Sequence, residues 1–509
     1  MVQRKGRCTN FGNCSAADSK QIVEIPETAD FVCPSCSKQL AEVGSRRSRP
    51  VLPIVITLGL VSIVAAFLLL HKQRRSVPAP LATSPQVPGP TANIIILRVH
   101  GSNTIGAQLM PSLAEKYLKE QGATDVRRIP GKIDETIVQG VLPGDSSPKN
   151  IEIEAHGSST AFTDLAQSKC DVGMASRKIK PEEAAALSGL GDMTSPASEH
   201  VLGLDGIAVI VSPANPIQSL TKDQLSSIFS GAVTNWNQML VPRGAIRVYA
   251  RDSKSGTYDT FKTLVLGTGD LASSAIRIED SRELSDKVAS DPNAIGFIGL
   301  PYIRSAKAIA ISDSGSKPLL PTRLTVSTED YALSRRLYLY TPANPSNQLT
   351  VGFVSFALSK SGQDSVAENG FVAQNVTAES IATASDGPSE YKRITRGADR
   401  LSLDFRFRTG SAGLDNKALA DLDRVVTFLT DLKYPGRNVM LIGFADSTGT
   451  NAINVALSKS RAKAVADQFV PRGLDVGLST GFGSALPVAS NATEDGRQKN
   501  RRVEIWLKK

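Results

Sequence analysis

The sequence predicts a multidomain α/β protein, and three observations carry that prediction. From residue 94 an apolar strand, a turn of small polar residues and an amphipathic helix recur in that order. From residue 391 to the end a separate β-α-β-α-β pattern follows. Ahead of both, an uncharged and mostly apolar run at 51–70 divides off a short head that holds four of the five cysteines. The 509 residues leave room for roughly two to four domains, and 41% hydrophobic content suffices for real cores. Net charge is +9, with the excess in the head, around the apolar run and in the last module. No basic stripe with interleaved aromatics accompanies it, so nucleic acid is not expected as a partner.

The head, 1–45, has the pattern C-x5-C-x18-C-x2-C at Cys8, Cys14, Cys33 and Cys36. Four thiolates meet the ligand count of a tetrahedral structural zinc. So small a segment also needs the folding energy that a metal would supply. Disulfides and a redox Cys-x2-Cys are the alternatives. The stretch from Phe31 to Cys36 resembles the second knuckle of bacterial zinc ribbons, which implies structural Zn2+ and no catalytic cofactor. Reduced thiolates favour a cytosolic head.

The run 51–70 is flanked by Arg46, Arg47 and Arg49 before it and by Lys72, Arg74 and Arg75 after it. At ~1.5 Å per residue it spans ~30 Å, the thickness of a bilayer's hydrocarbon core. It is expected to be one uncleaved transmembrane helix in contact with lipid. The sequence therefore predicts a single-pass protein of a bacterial inner membrane, with a cytosolic N-terminus and a periplasmic bulk. A proline-rich linker, 76–93, is expected to be extended. A second break, 374–390, separates modules at 94–373 and 391–509.

Three strand–turn–helix units mark the middle module. Ile94 to Val99 runs into Gly101-Ser102-Asn103-Thr104, and a helix follows over Met110 to Glu120. Ile151 to Ala155 runs into Gly157-Ser158-Ser159-Thr160, and Ile246 to Ala250 into Arg251-x3-Ser255-Gly256-Thr257. Such turns aim backbone N–H groups and hydroxyls at one point, which suits an oxyanion, although each taken singly is also an ordinary N-cap. Arg251 adds a planar fork that can grip tetrahedral oxygens. His100 and His156 each precede a turn and stand either at a cleft or in packing. No His-rich metal pattern or nucleophile elbow appears, so no enzyme is expected. Cys170, at the end of an amphipathic helix, is expected to be buried.

On these motifs the module resembles the phosphate-binding members of the periplasmic solute-binding proteins. The resemblance implies a two-lobed periplasmic-binding-protein fold (type II) that closes through a two-segment hinge. It assigns phosphate to Ser102, Asn103, Thr104, Ser158, Ser159, Ser176, Arg251, Ser255, Gly256 and Thr257. Well-known members have an aspartate after the Asp-x-Gly-x-x-Ser stretch, where Asp171 to Ser176 is here followed by Arg177. That exchange leaves phosphate-over-sulfate selectivity open, with Asp205 as a candidate substitute.

In the last module Leu401 to Phe407, Val439 to Phe444 and Arg502 to Lys508 read as strands, with helices over Leu419 to Leu432 and Leu457 to Phe469. Asp446 and Arg461 form either a salt bridge or a clamp for a zwitterion. Gly443-Phe444-Ala445-Asp446, Asn454, Leu457-Ser458-x2-Arg461 and Asn500-Arg501-Arg502 resemble the OmpA-like peptidoglycan-binding domain. The resemblance implies that Asp446, Asn454 and Arg461 bind the diaminopimelate of the stem peptide. Phe444 and Ala445 replace the family's common His and Thr. Together these readings predict a noncatalytic protein that binds phosphate or a related oxyanion and also peptidoglycan, with a phosphate transporter or a cytosolic signalling protein as its further partner. The alternative is a membrane-to-wall tether whose central module is an interaction platform without ligand.

Overall fold

The computed structural model describes residues 3–8, 22–26, 31–34, 39–42, 94–253, 255–381, 387–408, 413–431 and 438–508. Two compact units arise, Met1–Val87 and Pro88–Lys509. In the first, strands Gln3–Arg7, Ile22–Pro26 and Ala41–Glu42 form an antiparallel sheet with the first strand in the centre. Cys8 and Cys33 lie fully buried in its small core with Ile25 and Leu40. Cys14 and Cys36 lie outside the described residues, so the complete four-cysteine set of a zinc ribbon is not seen.

The apolar run 51–70 and the linker 76–93 also lie outside the described residues. Among the described residues, no helix is long and apolar enough to cross a membrane. The longest, Asn451–Phe469, carries Lys459, Arg461, Lys463 and Asp467. Charges at this density exclude a hydrocarbon setting. The expected single-pass inner-membrane localisation is corrected accordingly.

In the second unit one long sheet runs through two lobes. The first lobe orders its strands Thr124–Pro130, Glu135–Val141, Lys149–Glu154, Ile94–Gly101 and Val172–Ala175. Strands Ser334–Tyr340 and Glu199–Val211 come next, paired antiparallel to each other. Ala294–Gly299, Arg247–Arg251 and Ile276–Ile278 complete the sheet in the second lobe. Glu199–Val211 bonds to Ser334–Tyr340 through its first half and to Ala294–Gly299 through its second. These two strands join the lobes and are the segments about which the expected two-segment hinge would turn. A strand covered on both faces needs continuous apolar sequence whatever its pairing, and Ile207 to Val211, paired antiparallel with Ala294–Gly299, are accordingly all buried. Helix Leu109–Glu120 buries Leu109, Met110, Leu113, Ala114, Tyr117 and Leu118 against the first lobe, a 3.6-residue stripe. The second lobe packs Phe261 flat on Phe297 at 3.9 Å, beside Phe229.

The C-terminal sheet is ordered Ala378–Ser380, Asp399–Arg406, Arg502–Leu507, Val439–Gly443 and Leu478–Gly481. Helices Asn416–Asp431 and Asn451–Phe469 contribute their apolar faces to its core. Part of the expected second linker is thus an edge strand, Ala378–Ser380, and residues 382–386 lie outside the described residues.

This domain docks on the two-lobed module. Arg336 on the second hinge strand donates to Asp415 at 2.8 Å and to both oxygens of Glu329 at 2.8 Å. Arg406 donates to the Thr328 carbonyl at 2.6 Å and to Asp330 at 3.2 Å. Asn416 reaches the Thr194 carbonyl and Glu199 at 2.8 and 3.0 Å.

Candidate functional site

A cleft of ≈ 440 Å³ is lined by Asn103, His156, Ser158, Ser159, Ser176, Arg177, Ser255, Asp259 and Arg335, among others. Each of the three turns read from the sequence ends a strand and starts a helix, which is why its polar residues arrive together. Helix Ser158–Ala166 opens directly after Gly157, whose φ of 109° suits glycine. The Ser158 hydroxyl lies 3.1 Å from the Ser176 hydroxyl and accepts the Ser176 N–H at 3.0 Å. Ser102 is buried with its hydroxyl oxygen unpartnered.

The first and third turns, from opposite lobes, touch. A Cβ on Gly256 would stand 2.4 Å from the Thr104 Cα. Arg335 occupies the seam and donates to Thr104 Oγ1 at 2.8 Å and to the Gly256 carbonyl at 3.0 Å. Its guanidinium also faces Asp205 at 3.4 Å and Asp259 at 3.7 Å. Asp205 lies directly across the hinge ladder from Arg335, which explains their pairing.

Of the predicted anion residues, Asn103, Ser158, Ser159, Ser176 and Ser255 line the cleft, and Thr104 and Gly256 form its seam. Arg251 is not among the lining residues. Its guanidinium donates to Ser281 at 2.5 Å and lies 3.8 Å from Asp252. Thr257 sits half-buried in the first turn of helix Gly256–Phe261, outside the lining.

Two arginines supply positive charge to the cleft instead. Arg177 donates to Ser159 at 3.0 Å and is clamped by Glu183 at 2.6 and 2.8 Å. That hydrogen-bonded carboxylate raises the Arg177 pKa further, whereas burial lowers that of Arg335. Neither Arg335 nor Asp259 was singled out from sequence. A polar Ser334-Arg335-Arg336 triplet inside an otherwise apolar strand was the available signal. Asp259 is 63% exposed at its side chain and brings a carboxylate to the cleft. Asp205, by contrast, is buried and engaged by Arg335 and Thr260.

His156 lines the cleft, whereas His100 is buried beneath the sheet's surface. Cys170 is buried, and burial pushes its thiol pKa up, out of the reactive range.

In the C-terminal domain Asp446 accepts the Thr448 N–H at 2.8 Å and pairs with Arg501 at 2.9 Å. Burial raises its carboxyl pKa, but these bonds outweigh that and hold it below the ordinary range. Arg461 does not pair with Asp446. It makes one long bond to the Phe444 carbonyl at 3.4 Å and lies 5.5 Å from the Phe407 ring centroid. Asn454 is buried in the first turn of helix Asn451–Phe469. Phe444 is fully buried under the Arg502 guanidinium at 4.0 Å.

The PBP superfamily domain matches residues 135–361, and the OmpA family matches residues 406–501. Phosphate-binding protein PstS of Borreliella burgdorferi is 27% identical over 265 residues, covering 51% of this chain and 90% of the relative. Protein SphX of Synechococcus elongatus is 32% identical over 250 residues, covering 46% and 72% respectively. For phosphate-binding protein PstS of Pseudomonas aeruginosa the identity is 30% over 243 residues, covering 44% and 74%. The two-lobed part of the chain, with its hydroxyl-lined cleft, belongs to the family of the phosphate-binding protein PstS, and residues 406–501 add an OmpA-family domain.

Proposed function

We propose that the chain binds inorganic phosphate or a related oxyanion in the interlobe cleft, and the diaminopimelate-bearing peptide of the cell wall through its C-terminal domain. It does so without catalysis. The observation that carries the first half is the convergence of Ser158, Ser159, Ser176, Ser255 and Asn103 with Arg177 and Arg335 on one cleft. Hydroxyl donors and the N-terminus of helix Ser158–Ala166 satisfy oxyanion oxygens, and the two guanidiniums neutralise their charge. The relatives' names and the matched families support both halves of the reading.

Calorimetric titration of the full chain with phosphate tests the proposal. Micromolar or tighter binding is expected, weakened by roughly tenfold to a hundredfold in Arg335→Met, since a hydrogen bond to a charged group is worth about 1.5–3 kcal/mol. Absence of heat from the folded wild type would sink it.

For the wall, Arg461 offers a guanidinium with one weak partner to a carboxylate, and Asp446 a carboxylate to an ammonium. Sedimentation with insoluble peptidoglycan should deplete the wild type, and Asp446→Ala or Arg461→Ala should stay in solution. Structural zinc in the head is part of the same proposal. Burial of Cys8 and Cys33 in one core supports it, and metal analysis of the purified chain would decide it.

A further inference from the structure

Beside the anion cleft, three neighbouring strands turn an acidic and imidazole-bearing row to one face. Residues two apart on a strand share a face, so Glu152 and Glu154 point the same way. The register sets His100 opposite Glu154 on one side and Glu135 opposite Glu154 on the other. Two glutamates directly opposed across an antiparallel pair repel each other. Asp164 reaches the same place from helix Ser158–Ala166, which covers the sheet there.

His100 is the informative member. It is 4% exposed, and its Nδ1 lies 2.9 Å from Asp164 Oδ2. A carboxylate accepts there, so Nδ1 donates and Nε2 is the ring atom turned to the row. Nε2 is buried, has no hydrogen-bond partner, and lies 3.5 Å from Glu152 Oε1. A ligating histidine is typically arranged in this way, with a carboxylate behind it that fixes tautomer and ring orientation. The possible ligand atoms of His100, Glu152 and Glu154 lie within 4.8 Å of one another, as do those of Glu135, Glu154 and His156. Glu154 belongs to both groups, and its Oε2 lies 3.7 Å from His156 Nδ1. Among the described residues, Arg98, 3.7 Å from Glu152, is the one guanidinium paired with these carboxylates.

We infer that this row is a divalent transition-metal site, with Glu154 at its centre, Glu152 and the His100 imidazole as further ligands, and Asp164 orienting the histidine. Mixed imidazole and carboxylate donors suit Zn2+ and its neighbours rather than Ca2+, which takes oxygen ligands only. Sequence pattern did not reveal the site because its residues lie on separate strands, with no local metal spacing.

The test is titration of metal-stripped full chain with Zn2+ alone. Cys8, Cys14, Cys33 and Cys36 are all replaced by Ser so that thiolates do not contribute. One equivalent is expected to bind with micromolar or tighter affinity, and the melting temperature is expected to rise. His100→Gln and Glu154→Gln should each weaken binding at least tenfold. Glu154 is only part-buried, so its variant should keep the wild-type melting temperature without metal, which separates ligand loss from misfolding. Three results would overturn the inference: no zinc bound, binding unchanged in both variants, or Ca2+ competing equally with Zn2+.

Discussion

Arg335 is held by oxygens from three separate segments, namely Thr104 and the pair Gly256 and Asp259 from opposite lobes, with Asp205 on the hinge. It therefore fixes the cleft's closed edge as well as its charge. Asp259 adds a carboxylate that a fully deprotonated sulfate cannot satisfy, whereas hydrogen phosphate can donate a proton to it. Facing an unprotonated oxyanion leaves two acceptors opposed with no proton between them, and because Asp259 is largely exposed the cost stays at the low end of about 1–3 kcal/mol. Asp259→Asn is thus expected to improve sulfate binding by roughly fivefold relative to phosphate. Parallel titrations with the two anions would read this ratio, and an unchanged ratio would move the selectivity elsewhere. At this scale the hydroxyl turns were legible because three of them recur after apolar strands, whereas one alone reads as an ordinary helix cap. Arg335 was not legible, since a charged residue within an alternating strand reads as solvent-facing until topology supplies its neighbours. Arg251 was expected to grip the anion, whereas its guanidinium is directed at Ser281 and Asp252.

Among the elements, the contact of the first turn with helix Gly256–Phe261 depends on a missing side chain. Gly256→Ala would drive a methyl into the Thr104 backbone, and the lobes must separate to admit it. Phosphate affinity should fall at least tenfold while the fold survives, as circular dichroism alongside calorimetry would verify. The turn at Glu329 works by charge. Its φ of 62° is unusual for a residue with a side chain, and it aims the carboxylate at Arg336. Burial alone would raise the Glu329 pKa, but Arg336, Lys417 and Arg406 outweigh it and hold it at about 2, against an ordinary 4.5. A depressed carboxyl stabilises the fold above pH 4.5, and that stabilisation is lost as the pH falls towards 2. The loss should amount to about 2–3 kcal/mol. Melting temperatures followed over this acid range should drop more steeply in the wild type than in Glu329→Gln, which starts lower at neutral pH. Strand and helix positions were readable from apolar period alone. The edge strand Ala378–Ser380 was not, because three polar and small residues carry no period and gain a partner only when Asp399–Arg406 lies beside them.

Across the second unit, the two-lobed module and the C-terminal domain are one packed body and not two beads on a string. Sequence gave little warning of this. Lys417 and Asp421 look like a solvated helix face, yet they are 3% and 1% exposed at their side chains. Buried ion pairs add modest net stability, but removing one partner strands the other charge and costs about 3–5 kcal/mol. Asp415→Ala combined with Asp330→Ala should therefore loosen the docking. Small-angle scattering would report a larger radius of gyration, and limited proteolysis a new cut between 374 and 390. An unchanged profile would show that apolar contacts suffice.

Arg335 and Arg336 are consecutive on one hinge strand, one turned to the anion cleft and the other to Asp415 of the docked domain. Any displacement of the docked domain would therefore move the strand that carries the cleft's arginine. Lobe closure and domain docking would then be two readings of the same backbone, each shifting the other by the same coupling free energy.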